Sequence, residues 1–174
     1  GGYLPLAATL TTDAIYSAFL GAPLEGKTFF HGHSYTGNPL GCAAALANLS
    51  IFKTERTLSH VQRRTPKLAV FLKALADDPW VGDIRQCGYM VGIELIQDRQ
   101  KKTPFPVGDR IGHQVAMAAR TLGLLIRPIN QTMVLMPPLS ATIQELQQMV
   151  DILKIAISLV RASKKSEATC SQAP

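Results

Sequence analysis

Two stretches of this 174-residue chain hold residue types that could do chemistry. The first is His31-Gly32-His33-Ser34-Tyr35-Thr36-Gly37-Asn38, immediately ahead of a helix entrance at Asn38-Pro39. Small residues, hydroxyls and backbone N–H groups at such an entrance suit an anion such as a phosphate. The same residue types also build a plain capping loop, so the motif carries both readings. His31 and His33 could ligate a metal, but no third ligand stands near them in sequence. The second stretch is Leu124-Leu125-Ile126-Arg127-Pro128. An arginine closing an apolar strand and fixed by proline holds a rigid guanidinium for a carboxylate. Its ordinary alternative is an edge-strand arginine paired with a surface acid.

Little else points to chemistry. There is no G-x-S-x-G, no Gly-rich phosphate loop and no evident pairing of a nucleophile with a base. Asp77-Asp78 reads as a solvated turn, Trp80 as packing at a helix–strand junction, and Met133, Met136 and Met149 as core. Cys42, Cys87 and Cys170 are widely spaced and odd in number, which suits reduced thiols in a cytoplasmic protein.

The elements that must position these residues follow from pattern. Residues 4–11 form a short apolar run, expected as a strand, and Thr12 can cap a helix over residues 12–20. Residues 21–33 are a loop punctuated by Gly21, Pro23, Gly26 and Gly32. Asn38 as N-cap and Pro39 at the first helical position open a helix over residues 40–53. That helix is apolar all round and is expected to be interior or at a subunit contact. Residues 54–76 read as an amphipathic helix burying Val61, Leu68, Phe71, Leu72 and Leu75. Strands are expected at 81–86 and 90–96, a helix at 110–122 stopped by Gly123, strands at 124–127 and 133–136, and a last helix at 142–160. Residues 161–174, with Arg161, Lys164 and Lys165, read as a frayed, solvated tail.

The chain carries 18 Lys+Arg against 12 Asp+Glu, and 47% of it is hydrophobic. That balance excludes a disordered chain, a collagen-like repeat and a coiled coil. The excess positive charge falls after residue 50, but without a clustered patch or interleaved aromatics it does not read as a nucleic-acid surface. No apolar run approaches the roughly 18–20 residues of a membrane span. The opening lacks a signal peptide's basic region, and the missing initiator Met suggests a chain cut from something longer.

At the two chemical stretches the chain resembles the C-terminal part of a class III pyridoxal-phosphate aminotransferase. The residues carrying the likeness are Gly1 to Thr9, Phe30 to Leu40, Gly82-Asp83-Ile84-Arg85, Gly92-Ile93-Glu94-Leu95, Arg127-Pro128 and Leu135-Met136-Pro137-Pro138. The resemblance implies an α/β fold: the C-terminal part of a fold type I transferase. Residues 1–53 would end the large cofactor-binding domain, 54–162 would form the small α+β domain, and 163–174 would be a flexible tail. It implies pyridoxal 5'-phosphate as cofactor and a cytoplasmic homodimer whose active sites are shared across the interface, with small-molecule substrates and neither nucleic acid nor membrane as partner. By the same resemblance Ser34 supplies a hydroxyl and N–H to the cofactor phosphate with His33 beside it. Gly32 touches substrate, and Arg127 binds the substrate carboxylate. The Schiff-base lysine of such enzymes falls just upstream of Gly1, and neither Lys27 nor Lys53 matches it, so this piece alone is expected to be inactive. Gly-Gly-Tyr-Leu and His-Gly-His-Ser-Tyr-Thr-Gly-Asn point to the biotin-synthesis branch, which aminates 8-amino-7-oxononanoate. The alternatives are an ornithine- or 4-aminobutyrate-type enzyme, or a non-catalytic dimerisation module. Val134 stands where some relatives have a tyrosine in the substrate pocket. This leaves the amino donor open between S-adenosylmethionine and lysine, with a lean to lysine.

Overall fold

Thr12 and Asn38 decide where the N-terminal helices begin. In the computed structural model, which describes residues 3–170, the Thr12 hydroxyl accepts the Ile15 N–H at 3.4 Å and starts α1 (Asp13–Ser17). Asn38 Oδ1 accepts the Leu40 N–H at 3.1 Å, Pro39 takes the first helical position, and α2 runs over Pro39–Thr54. Residues 4–11, expected as a strand, are irregular. The four strands of the described residues all lie beyond residue 80, so this extended run has no ladder partner. Gly1 and Gly2, which open the quoted motif, lie outside the described residues.

The chain divides into two compact units, Gly1–Arg56 and Thr57–Pro174. Within the first, Gly41 is the buried residue of α2, while Leu40, Leu46 and Leu49 are 70%, 67% and 63% exposed. The expectation that α2 is interior therefore fails within this chain. Among the described residues its unit has neither a sheet nor a second long helix to cover an apolar cylinder.

The second unit is built on a four-stranded antiparallel sheet in the order β1-β2-β4-β3. The long helix α3 (Thr57–Ala76) leads into β1 (Val81–Cys87), burying Leu68, Leu72 and Leu75 at helical spacing. Gly88, at φ +60°, makes the two-residue hairpin turn into β2 (Met90–Leu95). A loop with a 3-10 turn at Val107–Asp109 leads to α4 (Ile111–Thr121). Then β3 (Arg127–Ile129) and β4 (Thr132–Leu135) form a second hairpin, with Asn130 at φ +53° in its turn. Strict alternation puts Val91, Ile93, Leu95, Met133 and Leu135 inward, packed with Leu146, Leu153 and Ile157 of α5 (Ile143–Cys170). Helix α5 packs on α3 and α4, α3 on β1, and α4 on β3 and β4.

Three expectations in this unit need correction. Residue 127 begins its strand instead of ending it, because the left-handed Asn130 turn closes the hairpin and puts 127–129 in register with 132–134. The frayed tail expected from residue 161 is helical as far as Cys170. Residues 161–170 contain neither Gly nor Pro to stop a helix, and Arg161 forms an ion pair with Asp78. The rest of the expected tail, 171–174, lies outside the described residues. That ion pair also overturns the solvated reading of Asp78, while Asp77 is exposed as expected. The Asp78 side chain is only 8% exposed and accepts the Trp80 N–H at 2.9 Å, so α3's end is clasped to α5.

Candidate active-site elements

Arg127 opens β3, and the antiparallel register sets Val134 directly opposite it on the sheet's outer face. Both line a cleft of about 430 Å³ whose other walls include Leu125, Met136, Pro138 and Met149. The Arg127 guanidinium makes no hydrogen bond or ion pair among the described residues, so although the residue does lie on an edge strand, the expected pairing with a surface acid is not formed. A cation beside an apolar trough can receive a ligand with a carboxylate at one end and a carbon chain behind it. The sequence singled out Arg127 and Val134 separately. Their juxtaposition, and the wall made by Leu125 and Met149, need the hairpin register and the return of α5.

The motif at residues 31–38 is an exposed loop in the first unit. Thr36 ties it together: its hydroxyl accepts the His33 N–H at 2.9 Å, and its own N–H donates to the His33 carbonyl at 2.9 Å. Asn38 N–H donates to the Tyr35 carbonyl at 3.1 Å, and Gly37 takes φ +71°, which glycine adopts without a Cβ penalty. Gly32 faces open space. An aromatic row, Phe19–Phe29–His31–His33, has ring centroids 5.2, 5.4 and 5.2 Å apart. That row is what the sequence reading missed; alternation over Phe29, His31 and His33 is its one sequence signal. Among the described residues, no group of three His, Cys, Asp or Glu could hold a metal.

Ser34 decides whether this loop suits a phosphorylated cofactor. Neither its N–H nor its hydroxyl has a partner among the described residues, whereas the His33, Thr36 and Asn38 N–H groups are all engaged within the loop. Two unengaged neutral donors on one exposed serine, in a turn tied by its neighbours, fit a phosphate's oxygens. The lysines of this unit do not compete for that role: Lys27 is paired to Glu25 at 2.6 Å and Lys53 lies in the last turn of α2. The Lys27 ammonium and the Ala22 N–H hold the Glu25 carboxyl below its ordinary value.

Beside Gly92, on the outer face of the sheet, Arg85 bridges Asp83 at 2.8 Å and Glu94 at 3.0 Å. Glu94 first, then Asp83, raises the arginine's already high pKa, so it is a permanent cation whose charge is answered locally.

Comparison with known proteins converges on one family. A family model described as aminotransferase class-III matches residues 1–157. An adenosylmethionine-8-amino-7-oxononanoate aminotransferase of Nitratidesulfovibrio vulgaris is 53% identical over 160 residues, 92% of this chain and 30% of the relative. A protein of the same name from Staphylococcus aureus is 40% identical over 157 residues, 90% of this chain and 34% of the relative. The crystal structure of the Methanocaldococcus jannaschii enzyme of that name superposes with a TM-score of 0.87 at 46% identity, covering 90% of this chain and 36% of the other. A PMP-bound aminotransferase from Vibrio fluvialis gives a TM-score of 0.75 at 34% identity, covering 78% of this chain and 30% of the other. The chain thus spans about a third of the length of the relatives it matches. The C-terminal part of a fold type I transferase, expected from the motifs, is the fold these neighbours share with it. With nine-tenths of its residues matched in order, the chain belongs to the class III aminotransferase family.

Proposed function

We propose that the whole protein carrying this chain is a biotin-synthesis aminotransferase that moves an amino group to 8-amino-7-oxononanoate, giving 7,8-diaminononanoate. Family membership implies pyridoxal 5'-phosphate, which supplies the electron sink for amino transfer when bound. In this reading Ser34 donates its hydroxyl and N–H to the cofactor phosphate, with His33 beside it and Gly32 leaving room for substrate. Arg127 binds the acceptor's carboxylate, and Leu125, Val134 and Met136 exclude water from its carbon chain. The covalent lysine belongs upstream of Gly1, with 1–53 completing the large domain and 54–162 forming the small one. A homodimer sharing its sites across the interface gives the exposed apolar residues of α2 a place to be buried. A cytoplasmic setting suits the free thiols of Cys42 and Cys87. We take adenosylmethionine as donor, because it stands in the names of relatives at 53% and 40% identity. Val134 is the residue that leans instead to lysine.

The observation that carries this reading is the 53% identity to a protein of that name, with the motifs at 31–38 and 127 inside the matched range. The test is an acceptor panel on the full-length enzyme. Turnover of 8-amino-7-oxononanoate, with little of ornithine's or 4-aminobutyrate's oxo-acid partners, is expected. The reverse ranking would place it in the second branch, to which a tomato gamma aminobutyrate transaminase at 30% identity points. Running the panel with adenosylmethionine and then lysine identifies the donor.

A further inference from the structure

We propose that Gly112 is a positioning residue for Arg127: by letting α4 approach the β3–β4 hairpin at backbone distance, it sets where the guanidinium stands. The proposal rests on the carboxylate-binding reading of Arg127.

Strand β3 has little else to hold it. It is a three-residue edge strand paired on one side only, through Arg127↔Val134, Pro128↔Met133 and Ile129↔Thr132. Its central residue, Pro128, has no N–H to give to a ladder. The lateral position of Arg127 therefore depends on what packs against the hairpin, and α4 does so. At Gly112, in the first turn of α4, a Cβ would collide with the Asn130 carbonyl oxygen and stand 3.0 Å from Pro128 Cβ and 3.3 Å from the Asn130 carbonyl carbon. Two of these three atoms are backbone, so no rotamer change relieves the contact. The residues flanking the approach are both left-handed without being glycine: Arg110 at the start of α4 takes φ +47° and Asn130 at the hairpin tip φ +53°. Glycine is among the poorest helix formers, and here it occupies a helix of 11 residues where that helix meets the hairpin. Added volume at 112 would push the hairpin through Pro128, which is covalently joined to Arg127.

The test uses the full-length enzyme with 8-amino-7-oxononanoate and a ketone of equal chain length lacking the carboxylate. Gly112→Ala is expected to raise the acceptor's KM about tenfold or more, as displacements near 1 Å do at positioning groups. Its kcat, and kcat/KM for the carboxylate-free ketone, are expected to stay within about twofold of wild type, a change worth less than a displaced hydrogen bond. In an Arg127→Ala background Gly112→Ala should add nothing further, because the group it positions is gone. Equal losses on both substrates, unchanged KM, or full additivity with Arg127→Ala would overturn the proposal. Arg127→Ala alone with an unchanged acceptor KM would instead overturn the carboxylate reading. Should Gly112→Ala not accumulate as folded protein, Ala116→Val carries the same test. It adds volume one turn along α4, beside Arg127 and Pro128. A selective rise in acceptor KM supports the proposal, and no rise or a loss on both substrates rejects it.

Discussion

Ser34 shows what one side chain can and cannot announce. Its residue type suits a cap as well as a phosphate: the His33, Thr36 and Asn38 N–H groups are used inside the loop, while Ser34's two donors, like the Tyr35 N–H, have no partner among the described residues. A charge-assisted hydrogen bond contributes about 1.5–3 kcal/mol, so Ser34→Ala in the full-length enzyme should weaken cofactor retention by about tenfold or more. Ser34→Thr, which keeps the hydroxyl, should retain most of it. Cofactor absorbance after dilution and gel filtration reads both variants; equal retention by Ser34→Ala and wild type removes the serine from the phosphate site. Asp78 shows the opposite limit. Two adjacent aspartates before a proline look solvated in sequence, yet one is held at 8% exposure by Arg161, which is 83 residues away (161 − 78). No local pattern carries a pairing of that separation.

Helices were legible wherever their caps are local. Asn38-Pro39 fixes the start of α2, and Thr142 with Glu145 fixes that of α5. The limits of β1, β2 and β4 fall within a residue of expectation, and that of β3 does not. A hairpin's register depends on its turn, and the left-handed Asn130 shifted β3 by about one hairpin's loop from where apolar content put it. The α5 cap yields a prediction at this scale. Glu145 Oε2 accepts the Thr142 N–H at 2.7 Å and its hydroxyl at 2.8 Å, while the Glu145 N–H donates to Thr142 Oγ1 at 3.2 Å. This reciprocal box holds the Glu145 carboxyl below its ordinary value, chiefly through the Thr142 N–H and then its hydroxyl. A carboxyl with a depressed folded pKa stabilises the fold above its unfolded value, near pH ~4.3, and loses that contribution as pH falls through the folded value. Thr142→Ala, which removes a capping hydroxyl, should cost about 1 kcal/mol at neutral pH. The gap in thermal midpoint between wild type and Glu145→Gln should close as pH drops below that range. A gap that is constant from pH 7 to pH 3 would mean the box is not formed in solution.

At the scale of the molecule, the distribution of buried side chains decides which part can stand alone. The whole buried cluster, from Leu68 through Ile93 and Met133 to Val160, comes from Thr57–Pro174. In Gly1–Arg56 the apolar residues of α2 stay largely exposed, and the strand expected at residues 4–11 is absent. Sequence pattern could not distinguish these cases, because an apolar run reads alike whether its cover lies in the same unit or elsewhere. Burial of a Leu or Ile side chain contributes about 1.5–3 kcal/mol, and the second unit has more than a dozen side chains with under 2% exposure to set against its chain entropy. Residues 57–174 expressed alone are therefore expected to fold, with a single cooperative thermal transition and native-like amide protection in α5 and β2. Residues 1–56 alone should show no transition. Leu153→Ala, at 0% exposure where α5 meets the core, should destabilise the excised unit by about 2–5 kcal/mol. A broad, probe-dependent melt of 57–174, or a Leu153→Ala variant melting with its parent, would mean that this core requires the first unit to close it.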